Sequence, residues 1–91
     1  MGKQERINNF LKALSDINRL KILIFLQKSP QCVCKIFPHL KISQKLASHH
    51  LAQLKDMDLV KQKRSGNFMY YSLNKKTLKR CINALNSTIK I

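Results

Sequence analysis

Apolar residues recur every three or four positions along the first part of the chain. Ile7, Phe10, Leu11 and Leu14 mark one face of a helix predicted over residues 4–14. Ser15 and Asp16 follow with side-chain oxygens suited to capping a second helix. Ile17, Leu20, Ile22, Leu23, Ile24 and Leu26 make that helix apolar nearly all round, and so expected at the centre of the core. Ser29-Pro30 stops it. Residues 31–37 leave room for a short third helix carrying Val33, Ile36 and Phe37. Pro38 is expected to break it, and His39-Leu40-Lys41 to turn.

Ser43 can cap a fourth helix running to about Met57. Leu46, Ala47, His50, Leu51 and Leu54 share one stripe of it, and Gln44, Lys45, Ser48, His49, Gln53 and Lys55 the other. Next, residues 59–64 and 68–73 flank Ser65-Gly66-Asn67, where Gly and Asn tolerate the positive φ of a hairpin loop. A fifth helix, capped by Asn74 and reaching about Lys90, carries Leu78, Ile82, Leu85 and Ile89 at spacings of four, three and four. The fold class is therefore mostly α with a β-hairpin wing: four helices, two strands and a last helix. A short helix, a tight turn and an amphipathic helix with a polar, basic outer face make a helix-turn-helix pattern, and the hairpin makes it a winged one.

At 91 residues the chain is expected to form one domain over residues 1–91, too short for two separate cores. Charge adds more. Lys and Arg total 18 against four acids, Glu5, Asp16, Asp56 and Asp58, for a net charge of +14. No acid follows Asp58. So dense a positive field attracts a polyanion, of which nucleic acid is the usual one. The polar start predicts no signal peptide, and the longest apolar run, Ile22 to Leu26, is far short of a membrane span, so a cytoplasmic protein without membrane partners is expected. In that compartment Cys32, Cys34 and Cys81 are expected as reduced thiols.

If the fourth helix buries its apolar stripe, residues at its start face outward and reach base edges: Gln44, Lys45, Ser48 and His49, with Gln53 further along. Gln pairs with adenine through two hydrogen bonds, Ser serves any base or a phosphate, and Lys or His donates to guanine or phosphate. His50 belongs to the buried stripe and reads as a core histidine. Lys63, Arg64 and Asn67 at the wing are candidates for phosphate or minor-groove contact. Tyr70 and Tyr71 point to opposite faces, one to the core and one outward. The scattered acids, with no phosphate loop or nucleophile constellation, speak against an enzyme. A single hairpin without an aromatic stacking platform speaks against a single-stranded RNA module.

The stretch LSDINRLKIL, then CVC, then ISQKLASHHLAQLKDMDLV, then RSGNFMYYSL resembles the ArsR/SmtB repressors from about Leu11 to Leu73. The resemblance implies a homodimer joined through its first and last helices, with Ile7, Phe10, Leu11, Leu14, Leu78, Ile82, Leu85 and Ile89 at the interface. It implies a double-stranded DNA operator that is released when an effector binds, with the fourth helix as the recognition helix. Cys32 and Cys34 fall where arsenic- and cadmium-type members carry Cys-Val-Cys. Thiolates suit As(III) and Sb(III), with Cd(II) and Pb(II) behind them, and no obligatory cofactor is expected. Positions two apart on a regular helix diverge by about 200°, so both sulfurs meet one ion only at a distorted turn.

Two departures from the family bear on the effector. Phe37 stands where some arsenic sensors have a third cysteine, which leaves Cys81 as a candidate third ligand, a redox partner or a packed small apolar group. The last helix lacks the acids and histidines of the zinc-sensing members, so that zinc site is not expected. A thiol redox or persulfide switch, and a regulator with no metal sensing, stand as alternatives. For the redox switch a Cys32–Cys34 ring is expected to be strained and Cys81 the better partner.

Overall fold

The computed structural model describes residues 2–90. Its elements are α1 (Lys3–Ser15), α2 (Ile17–Phe25), β1 (Gln31–Cys32), α3 (Val33–Leu40), α4 (Gln44–Asp56), β2 (Val60–Ser65), β3 (Phe68–Leu73) and α5 (Lys75–Thr88). The expected helices and wing follow one another in the expected order. One element is additional. Strand β1 pairs antiparallel with β3, Gln31 opposite Tyr71 and Cys32 opposite Tyr70, giving a sheet of order β1-β3-β2. Two residues are too few to show an alternating pattern, so nothing in the sequence signals this strand.

Asp16 alone separates α1 from α2. Its extended backbone ends the first helix, and its carboxylate accepts from the Asn18 N–H at 2.8 Å and the Arg19 N–H at 3.2 Å to start the second. The Arg19 guanidinium then donates to the Ala13 and Lys12 carbonyls at the end of α1 and, at 2.8 Å, to Gln53 Oε1 on α4. One side chain thus fixes three helices. Helix α2 is less enclosed than its composition suggests. Ile22 and Leu23 are buried, whereas Ile17, Leu20 and Ile24 are exposed, because α1, α3 and α4 pack against part of its circumference and leave the rest outside.

Pro38 does not break α3, which continues to Leu40. A proline there removes one helical bond, the one that would reach the Cys34 carbonyl in the first turn, and its φ suits a helix. In return, the added turn buries Leu40 one helical repeat after Ile36. The helix stops at Lys41, whose φ of 57° is left-handed, with Ile42 N–H bonded back to Phe37 O. Phe25 and His39 stack with ring centroids 3.9 Å apart, closing α2 on α3.

The core gathers Ile22, Leu26, Ile36, Leu51, Leu54, Leu59 and Val60, all fully buried. Helix α4 ends at Asp56, Asp58 beyond it turns the chain with a φ of 61°, and the Leu59 carbonyl accepts from Asn74 N–H at 2.9 Å, which pins the base of the wing to the core. Helix α5 packs along α1 and has no buried residue of its own. No described helix is long and apolar enough to cross a membrane.

Candidate functional site

Helix α4 is started by Ser43, whose hydroxyl accepts from Leu46 N–H at 3.0 Å. Ala47, His50, Leu51 and Leu54 face the core. Leu46, expected among them, is exposed: it lies about 100° from Ala47 on the side away from Leu51, at the edge of the buried sector. On the opposite side Gln44, Lys45, Ser48 and His49 are all exposed along one face. Gln53 lies at the flank of that face, and its amide oxygen is engaged by Arg19. This residue serves the α2–α4 joint as well as the outer surface, a role its position in the sequence does not signal.

His50 is buried, as its place in the stripe predicts. Its Nε2 lies 3.8 Å from Asp16 Oδ1, and its Nδ1 has no hydrogen-bond partner. Burial pushes the Asp16 carboxyl up, but the N–H groups of Arg19 and Asn18, together with the charges of His50 and Arg19, outweigh it and hold the group below its ordinary value. Helix α4 and the cap of α2 therefore share one electrostatic contact.

Strands β2 and β3 pair from Val60 opposite Leu73 to Ser65 opposite Phe68. Gly66 alone in the turn takes a positive φ, 61°, the residue class a two-residue turn of this kind needs at its first position. Lys63, Arg64 and Asn67 are exposed along with every other residue from 61 to 68. Tyr71 is the inward tyrosine, packed on the core with its hydroxyl donating to Gln62 at 3.1 Å; Tyr70 points outward. Phe68 is 53% exposed, a feature that hydropathy does not predict.

Cys32 caps α3 with an extended backbone, φ −65° and ψ 143°, and its sulfur accepts the Cys34 N–H at 3.1 Å. Since Cys32 stands outside the helix and Cys34 in its first turn, the 200° divergence of a regular helix does not apply. The two Cα atoms are 5.1 Å apart and the sulfurs are joined as a disulfide. This corrects the expectation that Cys81 is the better redox partner; Cys81 is the free thiol. It lines a cleft of about 720 Å³ between α1 and α5 with Ile7, Phe10 and Met57. Burial pushes its thiol up, partly offset by Arg80, so it stays protonated near neutrality. Among the described residues no three of His, Cys, Asp or Glu gather into a metal site.

The α1 and α5 surfaces expected at a dimer interface divide in two. Ile7 and Phe10 are buried within the single chain, because α5 lies against them. Leu14 and Leu78 are half-buried against the core. Leu85 is half-buried. Leu11, Ile82 and Ile89 are exposed, the last two by 54% and 62%.

Residues 16–62, about half of the chain, match the family described as bacterial regulatory protein, arsR family. A Staphylococcus aureus arsenical resistance operon repressor is 38% identical over 82 residues, 90% of this chain and 79% of its own. The transcriptional repressor SdpR of Bacillus subtilis is 42% identical over 77 residues, 85% of this chain and 86% of its own. A solved structure described as a possible transcriptional regulator for arsenical resistance superposes with a TM-score of 0.80 at 26% identity, covering 88% of this chain and 84% of that one. The chain belongs to the ArsR family of helix-turn-helix transcriptional regulators, which bind DNA and are not enzymes.

Proposed function

We propose that this chain is a cytoplasmic, homodimeric repressor that leaves its double-stranded operator when a thiophilic metalloid binds Cys32 and Cys34. As(III) or Sb(III) is the favoured effector, ahead of Cd(II) and Pb(II). The observation that carries the reading is the meeting of both sulfurs at the cap of α3, the helix that packs directly on α4. A relative named for arsenical resistance supports the choice of effector.

The proposed DNA contacts are Gln44, Lys45, Ser48 and His49, with Gln53 at their flank, and Lys63, Arg64 and Asn67 on the wing. Two copies joined over the exposed Leu11, Ile82 and Ile89, flanked by Leu14, Leu78 and Leu85, present two such helices to successive major grooves about 34 Å apart. Cys32 and Cys34 would hold the metalloid as thiolates, and drawing both sulfurs onto one ion would turn the Cys32 side chain away from the geometry in which it accepts Cys34 N–H. With the cap of α3 lost, α4 shifts against its core contacts and the two copies no longer fit both half-sites at once. Cys81 supplied across the dimer is the candidate third donor.

A second reading is favoured by the disulfide itself: an oxidant takes two electrons and two protons from the two thiols, and the S–S bond replaces the metalloid as the signal. Titrating the reduced chain on duplex DNA with As(III), Cd(II), Zn(II) and oxidant in parallel separates these readings. Release by As(III) that disappears in Cys32→Ser/Cys34→Ser is expected. Full release of that double variant would sink the thiol sensor and leave a regulator without metal sensing.

A further inference from the structure

We propose that Phe68 is an apolar wedge that enters the minor groove of bound DNA from the tip of the wing and unstacks a base step there. The inference rests on the DNA-binding reading above and adds to it a means of deforming the operator. Phe68 forms the last pair of the hairpin, opposite Ser65, directly after the Gly66-Asn67 turn. It is 53% exposed, and every residue from 61 to 68 is exposed with it, so none of the described residues covers the tip. Nothing lies within 4 Å of where a Cβ on Gly66 would be, which leaves the approach to the tip open.

The strand alternation decides which way this surface looks. Tyr71 and Leu73 turn toward the core, so Phe68 and Tyr70 stand on the outer face. Cross-strand pairing sets Lys63 opposite Tyr70 and Lys61 opposite Ser72 on that same face, whereas Arg64, opposite Met69, belongs to the other face of the hairpin. A second copy is a poor occupant, since it brings these cations against their equivalents on a chain that also carries +14. A polyanion suits the lysines, and an aromatic ring set among them fits the space between bases. Proteins that bend DNA from the minor groove insert side chains of this kind, anchored by cations on the flanking phosphates.

The test uses a duplex recovered from a random-sequence pool by retention on the wild-type chain, then synthesised with 2-aminopurine at each flanking A·T pair in turn. The wild-type chain is expected to raise 2-aminopurine fluorescence at one step and to bend the duplex, read by end-to-end energy transfer. Phe68→Ala is expected to abolish both and weaken binding roughly tenfold without changing the salt slope, since no charge is removed. Phe68→Leu is expected to restore both. If Phe68→Ala leaves affinity, fluorescence and bend unchanged while Gln44→Ala/Ser48→Ala weakens binding, the wedge is wrong and the recognition surface stands. If the wild-type chain retains no duplex from the pool, both readings fall.

Discussion

Asp16 carries more than one duty for a single side chain. It caps α2, ends α1 and faces the buried His50 of α4. Replacing it with Ala is expected to lower unfolding stability by about 1 kcal/mol near neutrality, the usual worth of an N-cap, measured by urea denaturation. Acid tests the charge separately. The folded carboxyl titrates below its ordinary value, so the ionised group binds fewer protons than its unfolded counterpart over the window between the two values. Its stabilisation is complete above the ordinary carboxylate range and is lost as pH falls through the lowered folded value. Asp16→Asn keeps a capping oxygen but has no proton to gain, and its urea midpoint is expected to fall less than the wild type's on moving into acid. Parallel acid dependence in the two proteins would remove the electrostatic part of this account.

Helix stability follows from burial rather than from propensity, and the two faces of α4 separate the effects. Leu51 is fully buried among Ile22, Ile36 and Leu54, and Leu51→Ala is expected to cost about 2–5 kcal/mol, enough to unfold a domain of this size in part. Ile24, exposed on α2, is expected to change stability by less than about 0.5 kcal/mol when made Ala, and thermal melts of the two variants check the contrast. The same distinction explains what the sequence reveals. Helices α1, α4 and α5 were legible because their apolar spacing repeats over several turns, and their caps Ser43 and Asn74 are used as their chemistry suggests. The run in α2 suggests burial all round, yet the neighbours cover only part of it, and composition does not count neighbours. Pro38 illustrates the opposite case: local propensity argues for a break, and burial of Leu40 carries the helix through. The thiol pair was legible as a condition, that the sulfurs meet only off a regular helix, but not as an outcome. The outcome depends on β1, whose pairing with β3 brings Cys32 into an extended conformation just before α3 starts.

At the scale of the whole molecule, α5 has an apolar stripe and no buried residue, a combination that an isolated chain leaves unexplained. Ile82→Lys/Ile89→Lys is expected to convert a dimer to monomers in sedimentation without unfolding them, because both side chains are already exposed in the single chain. Salt dependence of DNA binding counts the copies independently. Each phosphate contact contributes about 0.9 to the slope of log affinity against log salt, so Lys63→Gln flattens the slope by about 0.9 if one copy binds and by about twice that if two do. A dimer therefore predicts that the Lys63 effect is doubled in the wild-type background. In the Ile82→Lys/Ile89→Lys background, where a single copy binds more weakly, the effect shrinks to the single value. The same effect in both backgrounds would show that α5 does not join the copies that hold DNA, whatever the sedimentation result.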